Sequence, residues 1–247
     1  LIASLISPTP TISITSALPL GSKLYTILIG ICFLLVIIIL ISRPPLHLSK
    51  ENNGLNTDLN ASLIYSDDFS SNQTMWSTSR GENSMTAYQD GALHITVLKK
   101  DWYHFTRHPI DQLFHNFIVK VMATQERGSD DNKYGVLLRH VNDGNFYVFE
   151  IDARGSYIFS KMFNSEWVTI IPLTRSEAIN TGNSTNWIKV ECKDDMFIFY
   201  VNGIRVKACH DNSFYSGNIG LIAESGVSSD YVHVSFDNFS VWEIENS

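Results

Sequence analysis

The side chains of this chain best suited to chemistry are Arg139, Glu150 and Asp152, all within KYGVLLRHVNDGNFYVFEIDARG at residues 133–155. Two carboxylates can divide the work of retaining glycoside hydrolysis, one as nucleophile and one as proton donor, when they stand about 5–5.5 Å apart. At i,i+2 on a strand they share a face with Cα atoms roughly 6.5–7 Å apart, so side chains that lean together could form such a pair. The plainer role is to neutralise Arg139 on a solvated sheet face, worth roughly a few tenths to one kcal/mol. Trp102, Tyr103, Phe105 and Trp167 offer ring faces of the kind on which sugars stack, although most aromatics of a β-protein are core. Other chemistries lack their residues. The chain has no Gly-x-Ser-x-Gly elbow and no His-Glu-x-x-His pair, and His104 and His108 fall on a strand and loop rather than a helix.

A hairpin must position the three charged residues. Asp143-Gly144 suits a two-residue type I′ turn, whose centres both take positive φ. That turn sets Asn142 opposite Asn145, Arg139 opposite Val148 and Leu137 opposite Glu150. Alternation then places Gly135, Leu137, Arg139, Val148, Glu150 and Asp152 on one face. Tyr134, Val136, Leu138, Tyr147, Phe149 and Ile151 form the apolar, core-facing side. From residue 63 onward such strands follow one another at short intervals, punctuated by Gly, Asn, Asp and Ser, as in an antiparallel sandwich. Residues 176–180 suit a single helical turn. In the meander NWIKVEC–MFIFYV–IRVKAC, counting across the turns puts Phe197 opposite Cys192 and Met196 opposite Cys209. A whole strand, roughly 10 Å, then separates the two cysteines, too far for a disulfide.

The formal net charge is −7, yet the first 50 residues contain Lys23, Arg43 and Lys50 and no Asp or Glu. An acidic domain without clustered Lys or Arg is a poor nucleic-acid binder, and that class is excluded. Residues 1–22 are uncharged and rich in Ser, Thr and Pro, as in a flexible tail. Residues 24–41, LYTILIGICFLLVIIILI, are 18 uncharged residues, roughly 27 Å of helix and enough to cross a bilayer. A transmembrane helix is therefore expected at 23–43 and a polar linker at 44–62. The basic flanks give the positive-inside rule little to choose between the two orientations.

Several pieces in order carry a family resemblance. They are Ser66-Asp-Asp-Phe with Trp76, Gly91-Ala-Leu-His-Ile, the Tyr-Gly-Val-Leu-Leu-Arg hairpin, Asn186-Trp-Ile-Lys-Val, Phe199-Tyr-Val-Asn-Gly, Gly217-Asn-Ile-Gly-Leu and Phe236-Asp-Asn-Phe. Over residues 63–245 the chain resembles the concanavalin A-like lectin/glucanase superfamily, and within it the bacterial family 16 glycoside hydrolase-like, or 3-keto-disaccharide hydrolase, domain. The resemblance implies an all-β, two-sheet antiparallel jelly-roll at 63–247, here preceded by the single transmembrane helix. It also implies a concave face that binds carbohydrate, with Trp102, Tyr103, Arg139, Glu150, Asp152 and Trp167 as the contacts. Glycosidases of this architecture carry Glu-x-Asp-x-x-Glu. This chain has Glu150 and Asp152, but the third position is Gly155, so no catalytic residue is assigned, the alternative being hydrolysis through Glu150 and Asp152. No cofactor is expected beyond a structural calcium at Asp68 and Asp237, where the first and last strands of a jelly-roll meet. The expected protein is a single-pass membrane protein with an extracytoplasmic β-domain. Its expected partners are membrane lipid, glycans and a larger membrane complex engaged through the helix.

Overall fold

A computed structural model describes residues 60–72, 75–110 and 112–245. The expected tail, the transmembrane segment at 23–43 and nearly all of the linker lie outside the described residues. Among the described residues no helix is long and apolar enough to cross a membrane.

Among the described residues fifteen strands follow in chain order. They are β1 (Ala61–Asp67), β2 (Ser79–Arg80), β3 (Ser84–Gln89), β4 (Ala92–Val97), β5 (Tyr103–Arg107), β6 (Phe117–Gly128), β7 (Lys133–Asn142) and β8 (Asn145–Asp152). The rest are β9 (Ser156–Phe163), β10 (Glu166–Arg175), β11 (Asn186–Lys193), β12 (Met196–Val201), β13 (Ile204–His210), β14 (Asn218–Glu224) and β15 (Val232–Ile244). They pair into two antiparallel sheets. One runs β13-β12-β11-β6-β15-β4-β3-β2, with β1 also on β15, and the other runs β10-β9-β8-β7-β14-β5. Residues 176–180 form a turn closed by the Ile179 amide donating to the Ser176 carbonyl, not a helical element.

The core lies between the sheets because each strand alternates. Val232, Val234 and Phe236 on β15 and Leu93, Ile95 and Val97 on β4 meet Tyr134, Val136, Leu138, Tyr147, Phe149 and Ile151 of the central hairpin. Phe149 stacks on Phe199 across the layers with centroids 4.4 Å apart, and Phe159 closes on both Phe197 and Phe199. Burying each ring is worth about 1.5–3 kcal/mol, so these aromatics tie the two sheets together. On β15 the alternation breaks at Asp237 and Asn238, where the register with β6 shifts and Asn238 takes φ 51°. That bulge brings Phe236 and Phe239 both into the core at i,i+3.

Two registers differ from the sequence expectation. The hairpin turn is as read, with Asn142 opposite Asn145, but the ladder then slips, so that Leu137 faces Val148 and Gly135 faces Glu150. Gly135 is required there, since a Cβ would lie 2.0 Å from the Phe149 carbonyl oxygen. In the meander, Phe197 faces both Cys192 and Cys209, while Met196 faces His210, because β12 and β13 shift register between Phe199 and Tyr200. One strand still separates the cysteines, and both are free thiols. Burial pushes the Cys192 thiol up to about 12 and that of Cys209 to about 11.

Candidate functional site

The outer face of the six-stranded sheet, away from the core, holds most of the candidate residues. Leu137, Phe146, Val148, Met162 and Ile222 form a second apolar cluster there, with Tyr103 and Phe105 packed against it. β5 and β10 are the two edges of this sheet, yet the Tyr103 and Trp167 rings approach to 5.5 Å, edge to face. The sheet must therefore curl until side chains from its two edges meet above Phe146, which touches both rings. This aromatic roof explains why Leu137, Val148 and Ile222 are fully buried on a face that looks away from the main core. Trp167 remains 44 % exposed and Trp102 39 %. Trp102 stands at the start of β5, its backbone bonded to Ser225 and the Lys99 ammonium 4.0 Å from its ring centre.

Beside the roof lies a charged group that the sequence reading did not assemble. Glu224 is opposite both Tyr103 and Lys133, and it pairs with the Lys133 ammonium. Glu150 lies diagonally across Gly135 from Lys133, on the same face. It is only 2 % exposed, and its Oε1 has no hydrogen-bond partner. Burial, reinforced by the Glu224 charge and only partly offset by Lys133, pushes its carboxyl up to about 8. Burial works against the Lys133 ammonium, but Glu150 and Glu224 outweigh it and raise its pKa. At neutral pH Glu150 therefore keeps its proton, and Lys133 is left to Glu224.

The remaining candidates go elsewhere. Asp152 is fully buried and closes the β8–β9 turn, its Oδ1 accepting from the Arg154 and Ser156 amides at 3.1 and 2.8 Å and its Oδ2 from Arg154 Nε. Gly155 sits in that turn at φ +90°, off the strand, so the third position of the glycosidase pattern does not face the site. Arg139 is a correction. It was expected beside Glu150, but it lies fully buried on the other side of the sheet, 5.0 Å from the Phe197 ring centre. The slip in β7 leaves three residues, 139–141, against Phe146 alone, and Arg139 takes φ 46°, which turns its side chain inward. There it donates to the carbonyls of Phe214, His115 and Asp194 at 3.1, 2.9 and 2.7 Å, tying three loops together.

At the expected calcium position β1 and β15 do pair, with Asp67 opposite Phe239. Burial, with Asp68 and Asp67 close by and despite the Asn238 amide, raises the Asp237 carboxyl. Both Asp67 oxygens are engaged, by the Phe69 amide and the Tyr65 hydroxyl. Among the described residues no group of three or more His, Cys, Asp or Glu is arranged to hold a metal ion. Asp68 and Asp237 alone fall short of the six to eight oxygens that calcium takes.

No protein-family model and no curated protein matches this sequence. Solved structures do resemble it. The carbohydrate binding module CBM66 from Bacillus subtilis aligns with 69 % of this chain and 96 % of its own at TM-score 0.56 and 22 % identity. The catalytic domain of an endo-1,3-beta-glucanase (laminarinase) from Thermotoga petrophila covers 76 % of this chain and 100 % of its own at TM-score 0.54 and 10 % identity. A Bacillus subtilis protein with a galectin-like fold covers 74 % of this chain and 98 % of its own, at TM-score 0.53 and 12 % identity. The domain is a jelly-roll of this kind. At these identities the likeness is one of fold, shared by binding modules and hydrolases alike.

Proposed function

We propose that this chain is a non-catalytic jelly-roll module that binds carbohydrate, held at a membrane by residues 23–43 with the β-domain on the extracytoplasmic side. The observation that carries the binding half is the roof of Tyr103 and Trp167, with the Lys133–Glu224 pair beside it; Trp102, exposed at the start of β5, is a separate ring face. Exposed rings give a sugar its stacking surface, and the ion pair offers donors and acceptors for hydroxyls. The sealed state of Glu150 supports the non-catalytic half. A general acid must come within hydrogen-bond reach of the leaving oxygen, and a carboxyl 2 % exposed beneath side chains does not. A structural calcium at Asp68 and Asp237 belongs to the same reading only if solvent supplies most of its oxygens.

One observation favours hydrolysis instead. A carboxyl held up to about 8 is protonated at neutral pH, as an acid catalyst must be. With Asp152 committed to its turn, the second carboxylate would have to be Glu224. The full chain in mild detergent, offered a panel of glucans and fructans, should retain some of them and release no reducing ends. Turnover abolished by Glu150→Gln would make the protein a hydrolase and overturn this reading.

The anchor is tested separately. Residues 24–41 supply the 18-residue apolar run, and an accessory subunit of a larger membrane assembly would engage its partner through them. The chain should stay with the membrane pellet after alkaline carbonate extraction and leave it only in detergent. Release by carbonate would show that residues 24–41 do not span.

A further inference from the structure

The outer face of the other sheet holds a second polar site, remote from the aromatic roof in the chain's pairing. His94 on β4 and His233 on β15 point outward, since their neighbours Leu93, Ile95, Val232 and Val234 face the core. Their rings meet nitrogen to nitrogen, His94 Nδ1 to His233 Nε2 at 2.8 Å. They line a recess of about 520 Å³ together with Asp90, Glu126, Arg127 and Tyr231.

Proton positions follow from the partners. His94 Nε2 lies 3.1 Å from the Gln89 carbonyl, which can only accept, so Nε2 carries the proton and Nδ1 presents a lone pair. His233 Nε2–H then donates to that lone pair. A metal-binding histidine is usually oriented in this way, its remote N–H donating to a backbone carbonyl. His94 is 7 % exposed, so its ring is fixed in that orientation. Glu126, which accepts from the Ser235 hydroxyl at 2.6 Å, stands directly beside the pair, and Ser235 itself lies opposite His94.

We propose that His94 and His233 form a binding site for a borderline divalent transition-metal ion, Zn²⁺, Ni²⁺ or Cu²⁺, in this recess. Imidazole nitrogens favour these ions over calcium or magnesium. Two metal–nitrogen bonds of about 2.0–2.1 Å at a tetrahedral angle set the nitrogens about 3.3 Å apart, and both lone pairs must converge on the ion, so with His94 held the half-buried His233 ring swings aside by about 2 Å. His233 moves its proton from Nε2 to Nδ1, and no net proton is released. Water fills the remaining positions, because no third His, Cys, Asp or Glu among the described residues is already in ligand geometry. Asp90 and Glu126 supply negative charge against the opposing charge of Arg127.

The test titrates the full chain in mild detergent with ZnCl₂, NiCl₂ and CuCl₂ by calorimetry, and with Cu²⁺ by electron paramagnetic resonance. The expected result is one ion per chain, with nitrogen coupling from two imidazoles. Affinity should fall about tenfold or more in His94→Gln and in His233→Gln and stay unchanged in His210→Ala, at the exposed histidine beside Asp195. Circular dichroism of each variant confirms that it is folded. Absence of binding by the wild type, or wild-type affinity in either single variant, would overturn the proposal.

Discussion

Glu150→Gln stabilises the domain at alkaline pH and leaves it nearly unchanged below pH 4. Glutamine keeps the size and neutrality of the protonated acid but cannot ionise. The folded-state carboxyl is pushed up to about 8 from an ordinary value of 4.5, so the folded chain binds this proton more tightly than the unfolded one. The stability that this provides is complete below about pH 4.5 and is lost as pH rises through 8. Above pH 9 the wild type must carry a buried anion with one oxygen unpartnered, at a cost on the order of a few kcal/mol. In a domain of this size that corresponds to about 5–10 °C in Tm. Thermal melts of both proteins from pH 4 to 9.5 should therefore diverge steadily above pH 5. Parallel curves would mean that water or a counter-ion reaches Glu150, and the site would then be open rather than roofed.

Arg139→Ala should be strongly destabilising. Its guanidinium satisfies three carbonyls from three separate loops and lies over Phe197, and no carboxylate among the described residues pairs with it. Truncation leaves those acceptors without their donor and a cavity where a long side chain lay, a loss of about 3–5 kcal/mol. Gly217 packs onto the same bulge, where a Cβ would fall 2.3 Å from the Arg139 carbonyl carbon, so the backbone has little room to close the gap. Arg139→Lys should recover only part of the loss, because one ammonium on a single stem cannot reach three carbonyls as a planar fork does. Urea unfolding of the three proteins measures the difference. An alanine variant within about 0.5 kcal/mol of wild type would show that the side chain is solvated and not a tie between loops.

Arg139 also marks where sequence reasoning stops. Alternation and turn chemistry were enough to find the long strands, the core face of the hairpin and the Asn142–Asn145 turn, because each of these depends on neighbours in the chain. A bulge does not. Nothing in LRHVN announces that three residues will stand against one, and a single slip of this kind moved Arg139 from the outer face into the core. The irregularity between Phe199 and Tyr200 displaced the Cys209 register in the same way. Sheet order was equally hidden. Glu224 reaches the candidate site because β14 pairs with β7 and β5, partners far away in sequence, and no local pattern specifies that pairing. Lys133 was visible by parity, two residues before Gly135, but had no recognised partner until Glu224 was beside it. Tyr103 and Trp167 were chosen separately as ring donors. Their meeting across the curled sheet could not be read from either strand.

On the proposed reading, sugar rests on that aromatic roof. The most direct measurement is a titration of the full chain with soluble oligosaccharides, followed by tryptophan fluorescence and calorimetry, with Trp167→Ala and Tyr103→Ala as the comparison. The expected result is saturable binding of at least one oligosaccharide by the wild type and a loss of about tenfold or more in each variant, with Glu150→Gln binding as wild type does. Binding that survives both aromatic substitutions, or no binding across the panel, would contradict it.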